Sequence, residues 1–129
     1  MNEEAILELF ASPLGRRMQS ADKVHREFKF SVLVDASGFY PEAGEEQLLL
    51  QGVVDCCLEE KGKLVIIDYK TDNVRTEAEI KARADIYARQ VSIYAMALRK
   101  IFNMEVAECL LYFLSAGKML QIAEKDLHY

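Results

Sequence analysis

Apolar residues change their spacing several times along the chain, and each change marks an element. Ile6, Leu7 and Phe10 recur at helical intervals over residues 3–10. Ser12-Pro13 then offers an N-cap and a first-turn proline for a second short helix running toward Ser20. From Glu27 to Val34 the period falls to two, with Phe28, Phe30, Val32 and Val34 on one face of a predicted strand and Glu27, Lys29 and Ser31 on the other. The run Asp35 to Gly44 includes Ser37, Gly38, Phe39, Pro41 and Gly44 and predicts an exposed loop. Two more strands, Leu48 to Leu58 and Lys63 to Lys70, flank the turn-like Glu59-Glu60-Lys61-Gly62. The second contains Leu64-Val65-Ile66-Ile67, apolar on both faces, as a central strand covered from both sides would be.

Thr76 followed by Glu79 reads as a capping box that opens the longest helix. Its stripe Ile80, Ala84, Tyr87, Val91, Tyr94, Leu98, Ile101 steps by fours and threes, so one face is expected to be buried. Ala107 to Leu114 is an apolar strand, and Ala116-Gly117 turns it toward a short strand near Met119 to Ile122. Short links favour antiparallel pairing of the first three strands, whereas the long helix lets the next strand return parallel. The expected class is therefore α/β: a mixed sheet with three antiparallel strands, a long crossover helix and a further strand, flanked by helices.

Composition narrows the picture. With 129 residues, 51% of them hydrophobic, there is material for one compact domain over residues 1–129 and not for two. No apolar run approaches the roughly 20 residues that span a bilayer, and Met1-Asn2-Glu3-Glu4 lacks the basic start of a signal peptide, so a cytoplasmic protein without a membrane partner is expected. Cys56, Cys57 and Cys109 include no spaced C-x₂-C pair; they read as small buried hydrophobes, with neither disulfides nor an iron–sulfur cluster. His25 and His128 lie at element edges and read as surface residues. A net charge of −5 argues against a free-standing module that grips nucleic acid by neutralising phosphates.

The candidate chemistry comes from the second hairpin. With Lys61-Gly62 as a two-residue loop, Glu60 opposes Lys63 and, counting outward, Asp55 opposes Asp68. Directly opposed residues have Cβ atoms about 5 Å apart on one side of the sheet, and two carboxylates there repel unless a cation sits between them. Lys70, two residues on, projects from the same face. A one-residue bulge at Gly62 would shift this register. Two hard oxygen ligands beside an ammonium suit Mg²⁺, which takes one or two carboxylates, waters and a substrate phosphate. Phosphodiester hydrolysis follows naturally, with Lys70 orienting or deprotonating the attacking water. Asp-x-Lys alone is a weak signal, since strand-end acids and a snorkelling surface lysine produce it too. Its placement after Gly52-Val53-Val54 and Val65-Ile66-Ile67, on strands that otherwise read as buried, strengthens it.

The series Gly52-Val53-Val54-Asp55, Ile66-Ile67-Asp68-Tyr69-Lys70-Thr71-Asp72 and Gln90-Val91-Ser92-Ile93-Tyr94, followed by Ala97-Leu98, resembles the ordered motifs of RecB-family nucleases of the PD-(D/E)XK type. Upstream, Ser12-Pro13-Leu14-Gly15-Arg16-Arg17 and Arg26-Glu27-Phe28-Lys29-Phe30 resemble the approach to this nuclease in AddA-type helicase–nucleases. The resemblance implies a restriction-endonuclease-like core. It implies Asp55, Asp68 and the Tyr69 carbonyl as ligands of Mg²⁺, with Mn²⁺ as a substitute, Lys70 as the catalytic lysine, and Gln90, Tyr94 and Thr71 as supporting or DNA-contacting residues. It further implies a bacterial, cytoplasmic exonuclease acting on helicase-unwound single-stranded DNA in double-strand break repair by recombination, in a heterodimer with an AddB-type partner. ATP would bind only to a helicase part outside this chain, because no Walker A pattern occurs here.

On a helix Gln90 borders the buried stripe and can reach over the sheet, whereas a core role explains Tyr94 equally well. Glu27 reads as a solvated strand residue or as a supporting one. One departure from the family pattern concerns a further metal ligand, a His or Glu in a G-T-x-x-H-like helix upstream of Ser12-Pro13, which has no counterpart here. The chain is therefore expected to be a C-terminal fragment lacking that helix. Two competing readings differ in cheap ways. A nuclease-like module without activity, serving binding or assembly, would not need Asp55, Asp68 and Lys70 intact; a CRISPR-associated or AddB-like iron–sulfur nuclease would need a four-cysteine set.

Overall fold

The computed structural model describes residues 3–38 and 40–123; Phe39 of the expected loop and His128 lie outside them. Among these residues three helices, α1 (Glu3–Ala11), α2 (Pro13–Ser20) and α3 (Glu77–Phe102), accompany five strands, β1 (Lys23–Asp35), β2 (Gln47–Glu60), β3 (Lys63–Lys70), β4 (Val106–Phe113) and β5 (Lys118–Gln121). The strands form one sheet in chain order. β1, β2 and β3 pair antiparallel, β4 returns parallel to β3 after α3, and β5 closes antiparallel on β4. This is the expected mixed sheet with its crossover helix. The loop between β1 and β2 contains two single 3₁₀ turns, Ala36–Gly38 and Pro41–Ala43.

Local chemistry sets the helix ends as the sequence suggests. The Ser12 hydroxyl accepts a hydrogen bond from the Gly15 amide at 3.1 Å, capping α2. At Thr76 the reciprocal box is complete: its hydroxyl accepts from the Glu79 amide at 3.1 Å, and the Glu79 carboxylate accepts from the Thr76 amide at 3.2 Å. Asn103, left-handed at φ 53°, ends α3.

Two apolar layers sandwich the sheet. On one face Ala84, Val91 and Leu98 of α3 pack with Val54, Ile66, Leu111 and Phe113; on the other Leu9, Leu14 and Met18 of α1 and α2 pack with Cys56, Leu58, Val65, Ile67 and Leu110. Leu64 to Ile67 are therefore covered from both sides, and each contributes about 1.5–3 kcal/mol by burial. The three cysteines are buried and free, and burial pushes the Cys57 and Cys109 thiols up to about 12. Among the described residues no helix is long and apolar enough to cross a membrane.

Three expectations need correction. Ile101, placed on the buried stripe, is 40% exposed, and its neighbour Phe102 makes the core contact at the end of α3. His25, expected at the surface, is half-buried: its ring lies 5.0 Å from Phe102 and 5.8 Å from Phe28, and its Nε2 is 2.6 Å from Glu59. Finally, β1 begins at Lys23, four residues before the alternation becomes legible, because the alternation slips. His25 and Phe28 face the same α3-side cluster although they differ by an odd number, and Glu27 between them takes φ 48°. β2 slips in the same place, with Val54 and Cys57 on the α3 side and Cys56 and Leu58 on the other. The pairing register is unbroken, Arg26 with Cys56 and Phe28 with Val54, so Glu27 stands opposite Asp55 in a paired irregularity.

Candidate active site

The hairpin between β2 and β3 carries the register expected of it. Lys61 and Gly62, at φ 51° and 77°, form a two-residue turn whose left-handed backbone matches the strand twist, and Glu60 pairs with Lys63. The ladder runs to Cys56 opposite Ile67. One step further, where regular pairing stops, stand Asp55 and Asp68.

Their carboxyls meet. Asp55 Oδ2 accepts a hydrogen bond from the Tyr69 amide at 2.8 Å, which ties the β2 side chain to the β3 backbone. Asp68 is only 5% exposed. Burial above all, and then the hydrogen-bonding contact with Asp55, pushes its carboxyl up to about 6, with Lys70 opposing the shift. Lys70 Nζ lies 2.8 Å from Asp68 Oδ2, yet that buried oxygen has no directed hydrogen bond. With three donors, the ammonium also donates to Gln90 Oε1 at 2.9 Å while it keeps its ion pair with Asp68. Asp55, Asp68 and Lys70 are thus brought together at the end of β3.

The remaining residues surround this centre. Gln90 Nε2 donates to the Tyr94 hydroxyl at 3.1 Å, and the Tyr94 ring sits edge-on to Phe30 at 5.8 Å. Gly52 makes room for that stack: a Cβ there would stand 3.0 Å from the Phe30 ring and 3.3 Å from Tyr94. The Tyr69 ring points into the opposite layer, with its hydroxyl 3.9 Å from Met18 Sδ, so only its backbone belongs to the site. A strand residue turns its N–H and C=O to the same edge, so the Tyr69 carbonyl faces the β2 side where pairing has ended. Thr71 is exposed just beyond β3, and Glu27 is exposed beside Asp55 on β1.

Two neighbours are not singled out by spacing. Tyr87 carries the Lys70 ammonium 3.9 Å above its ring centroid, and its hydroxyl donates to the Asp72 carboxylate at 2.9 Å from each oxygen. As a member of an apolar stripe Tyr87 looks like core; its position three residues before Gln90, on the side facing Lys70, is the signal that could have found it.

A hard divalent cation fits this donor set. Two carboxylates adjoin, one of them buried with an oxygen lacking any directed donor, and a single ammonium balances one of the two negative charges. Among the described residues no group of three or more His, Cys, Asp and Glu is placed to hold a metal, so these two carboxylates would be the side-chain donors.

Residues 2–127 match the sequence profile of the PD-(D/E)XK nuclease superfamily. Over 95% of its length the chain is 35% identical to an ATP-dependent helicase/nuclease subunit of Heliobacterium modesticaldum, of which it covers 9%. It is 38% identical to the protein of the same name from Listeria monocytogenes, over 98% of this chain and 11% of that protein. The Pediococcus pentosaceus counterpart is likewise 38% identical, over 91% of this chain and 10% of that one. The chain thus spans about a tenth of the length of these relatives. A solved structure titled "Crystal structure of SSO0001" shares the fold, with a TM-score of 0.52 and 16% identity over 92% of this chain and 48% of that one.

Proposed function

The chain belongs to the PD-(D/E)XK nuclease superfamily, and from that premise we propose that it hydrolyses DNA phosphodiester bonds with a divalent cation, Mg²⁺ or Mn²⁺, held by Asp55, Asp68 and the Tyr69 carbonyl. The observation that carries this reading is the pair of adjoining carboxylates, the buried Asp68 and Asp55, balanced by the single ammonium of Lys70 at 2.8 Å from Asp68 Oδ2. When bound, the cation polarises the phosphoryl oxygen and makes a coordinated water more acidic.

The chain's own residues supply positioning and charge. Asp55 is fixed by the Tyr69 amide and adjoins the Asp68 carboxyl. Lys70, held at Gln90, offsets the negative charge that builds on the phosphate oxygens and orients the attacking water. Tyr94 holds Gln90 in turn, and exposed Thr71 contacts the DNA backbone at the mouth of the site.

In the wider proposal residues 1–129 form the single nuclease unit of a longer helicase–nuclease. That unit degrades single strands exonucleolytically as a helicase part, which alone binds ATP, unwinds them, together with an AddB-type partner in the bacterial cytoplasm during recombinational break repair. The relatives' shared name, ATP-dependent helicase/nuclease, supports this context. The test is cleavage of labelled single-stranded DNA with Mg²⁺, with Mn²⁺ and with EDTA, by the unsubstituted protein and by Asp68→Ala and Lys70→Ala. Cation-dependent cleavage that both substitutions abolish is expected. Cleavage within a few-fold in either variant overturns the role assignment.

A further inference from the structure

Lys70 is unusually well enclosed for a residue at the end of a strand: its side chain is only 13% exposed. Three groups bound its ammonium. Asp68 Oδ2 stands at 2.8 Å, Gln90 Oε1 accepts at 2.9 Å, and the face of the Tyr87 ring lies 3.9 Å below. The first two are polar partners already assigned to the site. The third is a π face, which attracts a cation through its quadrupole and does so more strongly when the cation is removed from water.

Tyr87 is itself held. Its hydroxyl donates to both oxygens of Asp72 at 2.9 Å, and that carboxylate also lies 3.5 Å from Arg83 Nε. Asp72 is anchored through its backbone, since its carbonyl accepts from the Ser115 hydroxyl at 2.6 Å and from the Val74 amide at 3.0 Å. A phenol that donates to a carboxylate places more electron density on its ring, so this arrangement strengthens the face turned toward Lys70. The chain of contacts runs from the β4–β5 turn through the loop after β3 to α3 and back to the lysine.

Lysine needs such help. It is a point charge on a four-carbon stem with three rotatable donors, and no single partner fixes its direction. Held by Asp68 alone, the ammonium would rest on the carboxylate. Gln90 and the Tyr87 ring add two further directions to that 2.8 Å contact, so the ammonium is fixed from three sides.

We propose that Tyr87, braced by Asp72, is a positioning residue that sets the catalytic direction of Lys70 by a cation–π contact. The proposal rests on the nuclease reading above and adds to it a residue that acts through the lysine.

The experiment is steady-state cleavage of single-stranded DNA by the full-length protein. Tyr87→Leu removes the ring and is expected to lower kcat about tenfold with KM nearly unchanged, whereas Tyr87→Phe keeps the ring and retains kcat within about threefold. In single-turnover assays Tyr87→Leu should add no further loss to Lys70→Ala, because it acts only through that side chain. Should Tyr87→Leu fail to fold, near-isosteric fluorinated phenylalanines at position 87 decide the matter: kcat should fall stepwise from zero to three fluorines as the ring face loses its negative potential. A flat fluorine series, a Tyr87→Phe variant as impaired as Tyr87→Leu, or further loss on top of Lys70→Ala overturns the proposal. Asp68→Ala is the control that separates the two readings. If it cleaves within a few-fold of the unsubstituted protein, the role assigned to Asp68 fails; if it is dead and Tyr87→Leu is normal, only the positioning role fails.

Discussion

The two ends of β3 carry clusters of the same formal charge, two carboxylates around one cation, and they differ in how completely the cation is shared. Near Lys63, Arg17 of α2 reaches Glu60 through Nε at 3.0 Å from both carboxylate oxygens and through Nη2 at 2.8 Å, and the same Nη2 also meets Glu108. The planar guanidinium matches both partners, and hydrogen bonds to Glu108 and then Glu60 push its pKa above its ordinary value. Near Lys70 the cation is a lysine, a point charge shared between Asp68 at 2.8 Å and Gln90 at 2.9 Å, and it meets the buried Asp68 oxygen outside hydrogen-bond geometry. A satisfied cluster pins α2 against the sheet. One in which two adjoining carboxylates share a single point charge retains affinity for a further positive charge, as a site for a divalent ion requires.

The strongest way to break this comparison is to remove one member of each cluster and measure cleavage. Asp68→Ala should lower kcat by about 10²–10³-fold or more, as loss of a group that stabilises transition-state charge does. Arg17→Ala should leave kcat within about threefold. Equal losses would mean that the ends of β3 are not functionally distinct.

Stability should respond in the opposite sense. Arg17→Ala leaves Glu60 and Glu108 facing each other and should cost about 1–3 kcal/mol in urea unfolding, a cost that shrinks in high salt, which screens these partly exposed charges. Asp68→Asn should stabilise. Its carboxyl, at about 6 in the fold against an ordinary 3.8, binds its proton more tightly folded than unfolded. The ionised form therefore costs the fold nothing below about pH 4, a growing amount up to pH 6 and a constant amount above. Unfolding in EDTA should show a gain for Asp68→Asn on the order of 3 kcal/mol at pH 7.5 that vanishes near pH 4. A gain independent of pH would contradict this account.

Cation binding sharpens the contrast by a smaller amount. Mg²⁺ at ten times its dissociation constant should stabilise the protein by about 1.4 kcal/mol, seen as a rise in Tm of a few degrees. Asp55→Asn should abolish that rise and Arg17→Met should keep it. The smallest effect belongs to Glu108→Gln: Arg17 keeps Glu60, both acids are partly exposed, and a loss of about 0.5 kcal/mol is expected from thermal unfolding.

Much of the site is legible in the sequence, for a definite reason. A two-residue turn at Lys61-Gly62 sets the register of everything outward from it, so Asp55 opposite Asp68 follows from counting, and Lys70 joins them by the two-residue repeat. The crossover helix and the two-sided burial of Leu64 to Ile67 follow from period and from apolarity on both faces. These properties are local, and local spacing encodes them.

Other features depend on where elements separated in sequence come to rest, and spacing does not encode those. The start of β1 is hidden because Glu27 and Asp55 break alternation together, and a slip that leaves the register intact is visible only when both strands are in place. His25 packs inward against Phe102 at the far end of α3, while Ile101 beside Phe102 stays exposed. The Gln90 acceptor and the ring beside Lys70 arise because α3 crosses the sheet with Gln90 and Tyr87 above the end of β3. The sequence alone determined which residues could meet on the sheet face. Only the packing of α3 decided which donors each of them would keep, because hydrogen bonds and cation–π contacts depend on tenths of an ångström that no periodicity specifies.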